Sequence, residues 1–203
     1  MELYEDSLSV TRELSALDRA VIDFTSVLDY VGVDYVVVSG YVAILTGRSR
    51  ATEDVDIVLE PLSASTTEEL VATLEDRGYW GMAMPLSEMY SMLEGGDRIR
   101  IAEEDTFYPN FEVWFASNEV EREALSASIA AEMNDHRVAI SPIELQIAYK
   151  LGLAQRSGST TGKDFEDALH LFLTFEGQFK EAALEAYVEE LGVEEYYAEC
   201  RNA

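Results

Sequence analysis

The chain predicts an α/β fold, a mixed sheet of about five strands with helices packed on it, followed by a small C-terminal helical lobe. Three observations carry this expectation. Between residues 35 and 59 two apolar runs of strand length flank a short apolar helical segment. Phe111–Phe115, FEVWF, alternates with the period of two that marks a half-buried strand. From Ser141 onward the apolar spacing turns helical and stays so to Ala203.

Taken in order, the first element is a helix over roughly Thr11–Tyr30, with Leu14, Leu17, Val21, Phe24, Val27 and Leu28 on one face and Gly32 as its stop. Val36, Val37 and Val38 then form a buried strand, Ser39-Gly40 a tight turn, and Val42–Leu45 an apolar helical segment. A polar loop closed by Thr52 leads to a second strand, in which Asp54 and Asp56 interleave with Val55 and Ile57. Pro61 and Ser63 break that strand. A capping box at Ser65-x-x-Glu68 or Thr66-x-x-Glu69 opens a helix packing through Leu70, Val71 and Leu74 and ending at Gly78. Pro85–Leu93 reads as a short helix, and Gly95-Gly96-Asp97 as a turn into a strand at Arg98–Ala102. After the loop Glu103–Asn110, Phe111, Val113 and Phe115 point inward while Glu112 and Trp114 face the other side. A helix over about Glu119–Ile129 is followed by a hairpin across Asn134-Asp135, returning as Arg137–Ile140. Ser141-Pro142-Ile143-Glu144 is a helix start, with serine as cap and proline at the first helical position. A loop at Ser157–Gly162 interrupts the helical remainder. The lobes divide near residue 140, giving an α/β core over 1–140 and a helical lobe over 141–203. No internal repeat or low-complexity segment interrupts the pattern.

Charge is the most lopsided property: 40 acidic against 14 basic residues, net −26, with Lys150, Lys163 and Lys180 the only lysines. Acid spread over every polar face, with arginine preferred to lysine, reads as a cytosolic protein of an extreme halophile, where molar salt screens the repulsion within about 3 Å. The alternative is an acidic binding face on a protein of ordinary salt. One cysteine, Cys200, set among polar residues near the C-terminus, excludes a disulfide framework and a cysteine-based zinc site. His136 and His170 lack cysteine partners and do not read as zinc ligands; Tyr196-Tyr197 and the methionines read as packing. No run is long and apolar enough to span a membrane, and the expected location is the cytoplasm.

Residues two apart on a strand point the same way, so Asp54 and Asp56 leave one face while Val55 and Ile57 enter the core. Two parallel carboxylates beside a small-residue turn at a helix start suit a divalent metal and a phosphate. The plain alternative is an acid pair solvated at a strand end.

The frame around these residues resembles the nucleotidyltransferase superfamily. In one branch the loop before the acids reads Gly-x-x-Arg-x-Thr-x-Asp-x-Asp, matched here by Gly47, Arg50, Thr52, Asp54 and Asp56. The turn departs from that pattern, being Ser39-Gly40 in place of Gly-Gly or Gly-Ser. Lys150 followed by Lys163-Asp164-Phe165-Glu166-Asp167 is similar to the ending of nucleotidyltransferases of the abortive-infection toxin type (AbiEii-like). The resemblance implies transfer of a nucleoside monophosphate from an NTP to a hydroxyl acceptor, with Mg²⁺ or Mn²⁺ held by Asp54, Asp56 and a third carboxylate. Glu112 is best placed for that role; Asp97, Glu103, Glu104 and Asp105 lie in turns or loops. The Ser39-Gly40 amides, Arg50 and Lys150 are candidates for the triphosphate. Arg50 could instead pair with Glu53 or Asp54, Lys163 with Asp167, and Asp164 could complete a capping box with Thr161, leaving Arg48 on the surface. Thr52 is expected to fix the loop through its hydroxyl. The acceptor stays open among an RNA end, a protein hydroxyl and a small molecule. The rival class is a non-catalytic nucleotide- or partner-binding protein, such as one half of a toxin–antitoxin pair whose partner is the antitoxin.

Overall fold

The apolar runs on either side of Ser39-Gly40 become central strands of a single sheet. In the computed structural model, which describes residues 1–203, the chain begins β1 (Glu2–Leu3), β2 (Ser7–Val10), α1 (Ala16–Val31), β3 (Tyr35–Val38), α2 (Gly40–Leu45) and β4 (Asp54–Leu59). It continues α3 (Ala64–Asp76), β5 (Tyr79–Gly81), α4 (Met89–Glu94), β6 (Ile99–Glu103), β7 (Asn110–Phe115), α5 (Glu119–Ser126), β8 (Ile129–Met133) and β9 (His136–Ile140). Four helices complete it: α6 (Ile143–Ser157), α7 (Lys163–Thr174), α8 (Glu181–Leu191) and α9 (Glu194–Arg201).

The α/β class holds, with a mixed sheet flanked by helices, but the sheet has nine strands in the order β1-β2-β8-β9-β3-β4-β7-β6-β5. Strands β1 and β5 span two and three residues, too short to show a period in sequence, while the four of β2, Ser7–Val10, alternate polar and buried apolar side chains. In β8, Ile129, Ala131 and Met133 alternate inward, so α5 stops at Ser126 and not at Ile129. The turn Asn134-Asp135 joins β8 to β9 as expected, with Asn134 at φ 55° and Met133 paired to His136.

Helix starts also moved. Helix α1 begins at Ala16 because Ser15 and Asp18 close a capping box, the serine hydroxyl accepting from Asp18 N at 3.1 Å and the carboxylate from Ser15 N at 2.7 Å. Ser63, not Ser65 or Thr66, caps α3 by accepting from Thr66 N at 3.1 Å. Pro142 occupies the cap position of α6 in place of Ser141, and Glu144 accepts from Lys180 N at 2.7 Å, ahead of α8.

Central register positions the site. Val38 pairs with Asp56 across β3 and β4, Asp56 with Glu112 across the parallel β4–β7 pair, and Glu112 with Arg100 across β7 and β6. One face carries Val55, Ile57, Phe111 and Val113, all buried. Phe24 of α1 stacks on Phe111 with ring centroids 4.0 Å apart. Burying each such side chain stabilises the fold by about 1.5–3 kcal/mol, which is what keeps the acids on the other face. The core runs unbroken from Val37 and Ile57 into Ile143, Leu171 and Leu184 of the C-terminal helices. Cys200 belongs to that core and not to a polar surface; burial pushes its thiol up to about 12. Tyr196 and Tyr197 pack against the same core. No helix is long and apolar enough to cross a membrane.

Candidate active site

Asp54 and Asp56 stand on one face of β4, half-buried, with Glu112 beside Asp56 on β7. Burial pushes the Asp56 carboxyl up, and the charges of Asp54 and Glu112 push the same way; the Ser39 side chain and Arg98 oppose them. The acid face is therefore a place where an added cation would relieve an existing strain.

Glu112 is not free to join the pair. Its Oε2 accepts from Arg98 Nη1 at 3.2 Å, and its Oε1 lies 3.2 Å from Arg100 Nη2. Arg100 also approaches Asp54, at 3.9 Å. No three histidine, cysteine or acidic side chains stand at metal-holding separation. Arg98 in turn lies over the Trp114 ring, 3.8 Å from its centroid.

The turn before α2 is held from two sides. Ser39 sits at φ 62°, ψ −129°, a conformation that costs any residue with a Cβ. Gln146 of α6 grips its peptide groups, its Oε1 accepting from Ser39 N at 3.1 Å and its Nε2 donating to Ser39 O at 3.4 Å. The Ser39 amide is thus engaged within the protein. A Cβ at Gly40 would meet the Arg50 guanidinium, so any larger residue there would displace Arg50 from the turn. Thr52 donates to Asp54 O at 2.9 Å, fixing the loop into β4.

The cations beside this turn converge on one carboxylate. Asp167 of α7, with no exposed side-chain surface, accepts from Arg50 Nε and Nη2, each at 3.1 Å. Lys150 Nζ lies 3.0 Å from the same carboxylate and 2.7 Å from Asp164 Oδ1. Arg48 donates to Asp167 and to Glu166. Several sequence expectations change here. Arg50 pairs with Asp167 and not with Glu53 or Asp54, and Arg48 is ion-paired and largely covered. Asp167 is bonded by these cations and not by Lys163. Asp164 binds Lys150, while Gly162 precedes α7 with no side-chain cap. Burial lowers the pKa of both Arg50 and Lys150; Arg48 adds to this at Arg50, and the Asp164 hydrogen bond opposes it at Lys150. His170 Nε2 lies 3.2 Å from Thr46 O, so its ring serves the same junction between α7 and the end of α2.

Gln146, Arg98 and Arg100 were not singled out in the sequence. A lone amide in the apolar stripe of Ile143, Ile147 and Leu151 was the signal for the first, and the alternation Arg98-Ile99-Arg100 for the others. A cavity of about 310 Å³ lies further along the same strands, walled by Val38, Val58, Arg98, Trp114, Gln146 and Tyr149 and by none of the three carboxylates. A larger one, about 800 Å³, opens near Tyr35, Glu60 and Ala116, at the other end of β4, and touches none of the site residues.

No protein-family model matches the chain, and no curated protein matches it. Solved structures do. A nucleotidyltransferase-like antigenic protein of Paracoccidioides brasiliensis aligns with TM-score 0.57 at 18% identity, over 88% of both chains. The ANT(2″)-Ia structure in complex with adenylyl-2″-tobramycin aligns with TM-score 0.54 at 15% identity, over 87% of this chain and 99% of that one. A solution structure of the antibiotic-resistance factor ANT(2″)-Ia aligns with TM-score 0.52 at 11% identity. At these identities the likeness is one of fold, and the fold of this chain is nucleotidyltransferase-like.

Proposed function

We propose that the chain is a divalent-metal-dependent nucleotidyltransferase that moves a nucleoside monophosphate from an NTP to a hydroxyl of a small-molecule acceptor. The observation that carries this is the Gly47–Asp56 frame folded so that Asp54 and Asp56 share one face of β4 with Glu112 in register beside them. The donor set fits Mg²⁺ or Mn²⁺: hard carboxylate oxygens, one of them already pushed toward protonation by burial and its acidic neighbours. Asp54 and Asp56 would hold the metal, joined by Glu112 once its arginines let go. When bound, the metal supplies charge neutralisation at the phosphates and a more acidic acceptor hydroxyl.

The remaining work belongs to the chain itself. Arg50 lies against Gly40 and is the cation of this cluster placed to meet a triphosphate set on the Ser39-Gly40 turn; Lys150, buried between Asp164 and Asp167, would reach it only by leaving those carboxylates. Gln146 keeps that turn in its costly conformation. The 310 Å³ cavity, which Arg98 and Trp114 wall, has the size of a small-molecule site. The ANT(2″)-Ia complex holds adenylyl-2″-tobramycin, a small molecule adenylylated at a hydroxyl, which supports the same reading. A cytoplasmic protein of a halophile fits the acid-rich surface. Division into a core over 1–140 and a helical lobe over 141–203 would place the turn on one part and Gln146 with Lys150 on the other.

The test is incubation with labelled NTPs, Mg²⁺ and a fractionated cell extract at high KCl. Label moving to a low-mass product, and lost in Asp56→Asn, supports the proposal. Label on RNA or protein would shift the acceptor toward a toxin-type activity. The arginine-held Glu112 favours a second reading, a non-catalytic binding protein such as a toxin–antitoxin component; nucleotide binding with no labelled product in any fraction would support it.

A further inference from the structure

Both oxygens of Glu112, the carboxylate assigned to complete the metal set, are taken by arginines, Arg98 just before β6 and Arg100 within it. The Glu112 side chain is only 15% exposed, whereas Arg98 and Arg100 are 46% and 53% exposed, so the guanidinium groups can leave more readily than the carboxylate can. Arg98 is held in readiness by the Trp114 ring and lines the 310 Å³ cavity; Arg100 already reaches toward Asp54. A carboxylate oxygen bonded to a guanidinium and one bonded to a divalent cation compete for the same lone pairs.

We propose that Arg98 and Arg100 are positioning residues that hold Glu112 out of the metal set, so that metal and arginines exchange for this carboxylate. On exchange, Arg98 turns its free N–H groups to an anionic group in the adjoining cavity. The inference rests on the metal-dependent reading above. Without metal the two arginine charges offset part of the three-carboxylate charge, which helps Asp54, Asp56 and Glu112 to sit together in a chain already carrying −26.

Mn²⁺ titration followed by electron paramagnetic resonance, at constant ionic strength, tests it without turnover. Arg98→Gln with Arg100→Gln should tighten Mn²⁺ binding roughly three- to tenfold, the scale of two half-exposed ion pairs. The gain should vanish when Glu112→Gln is added. Arg156→Gln, which removes a charge from the same cavity wall, serves as the control for a general field effect. Unchanged or weaker Mn²⁺ binding in the double arginine variant overturns the proposal. So does an equal gain in the Glu112→Gln background or in Arg156→Gln. Melting curves of each variant confirm folding. Asp56→Asn separates the two levels. Weakened binding in that variant, with no effect of the arginine changes, removes only the exchange. Binding that ignores Asp56→Asn removes the metal site as well.

Discussion

Asp167→Asn removes the carboxylate with the most cation partners in the protein. The substitution keeps shape and removes the single charge on which Arg48, Arg50 and Lys150 converge. All three are mostly covered, with side-chain exposures of 14%, 16% and 2%, so their charges cannot be rehydrated without opening the junction between α7 and the 46–53 loop. Breaking a buried ion pair from one side costs about 3–5 kcal/mol. Lys150 keeps Asp164 and Arg48 keeps Glu166, which argues for the lower end, about 3 kcal/mol. For a chain of this size that lowers the melting temperature by roughly 6–12 °C. Urea unfolding and calorimetry measure it directly. Lys163→Ala is the companion: with no ion pair to Asp167, it should move stability by less than about 0.5 kcal/mol. A cost under about 1 kcal/mol for Asp167→Asn, or a larger one for Lys163→Ala, would refute the three-cation hub and restore the local helix pair.

Mg²⁺ or Mn²⁺ should raise the melting temperature of the wild-type protein by mass action, and Asp54→Asn with Asp56→Asn should abolish that rise while leaving the fold intact; equal shifts in both would remove the metal site. With net charge −26, stability should fall as KCl is lowered from molar to dilute, and unfolding midpoints independent of salt would end the halophile reading. Ser39→Gly should stabilise by about 1 kcal/mol, since relief of strain at φ 62° exceeds the added chain entropy. A loss of that size in urea unfolding would show instead that the hydroxyl beside Asp56 outweighs the backbone cost.

Before metal is added, Asp56→Asn carries a further sign. Its ionised form is disfavoured by burial and by Asp54 and Glu112, so the raised carboxyl subtracts stability as pH rises above the ordinary carboxylate range. Removing the charge should therefore stabilise the metal-free protein at neutral pH; the gain should shrink as pH falls through the raised folded-state range and be gone below about 4, the ordinary carboxylate value. A neutral-pH loss in thermal melts would contradict the stated origin of the shift.

Several features of the site were legible because their causes are local. Period-two alternation decides that Asp54 and Asp56 share a face, and the apolar weight of Val55 and Ile57 decides which face enters the core. Gly32 ends α1 in the left-handed conformation, as a glycine at that offset should. Even the hairpin at Asn134-Asp135 is written in two adjacent residues. Short strands were not legible. Two residues at Glu2–Leu3 or three at Tyr79–Gly81 have no period, and their strand state comes from the neighbour that supplies hydrogen bonds.

By itself the sequence determined the α/β class, the acid pair and the small-residue turn, each encoded within a few bonds along the chain. Only the tertiary structure decided where charges found partners. Arg50 meets Asp167 across 117 residues, and Arg48 meets the same carboxylate across 119. Glu112 meets arginines fourteen and twelve positions away because β6 returns antiparallel beside β7. In a chain with 40 acids and 14 bases every cation has many carboxylates to choose from, and composition favours none of them. The choice follows from burial: a carboxylate with no exposed surface cannot be left to water, so the fold brings Arg48, Arg50 and Lys150 to Asp167 while exposed acids remain hydrated.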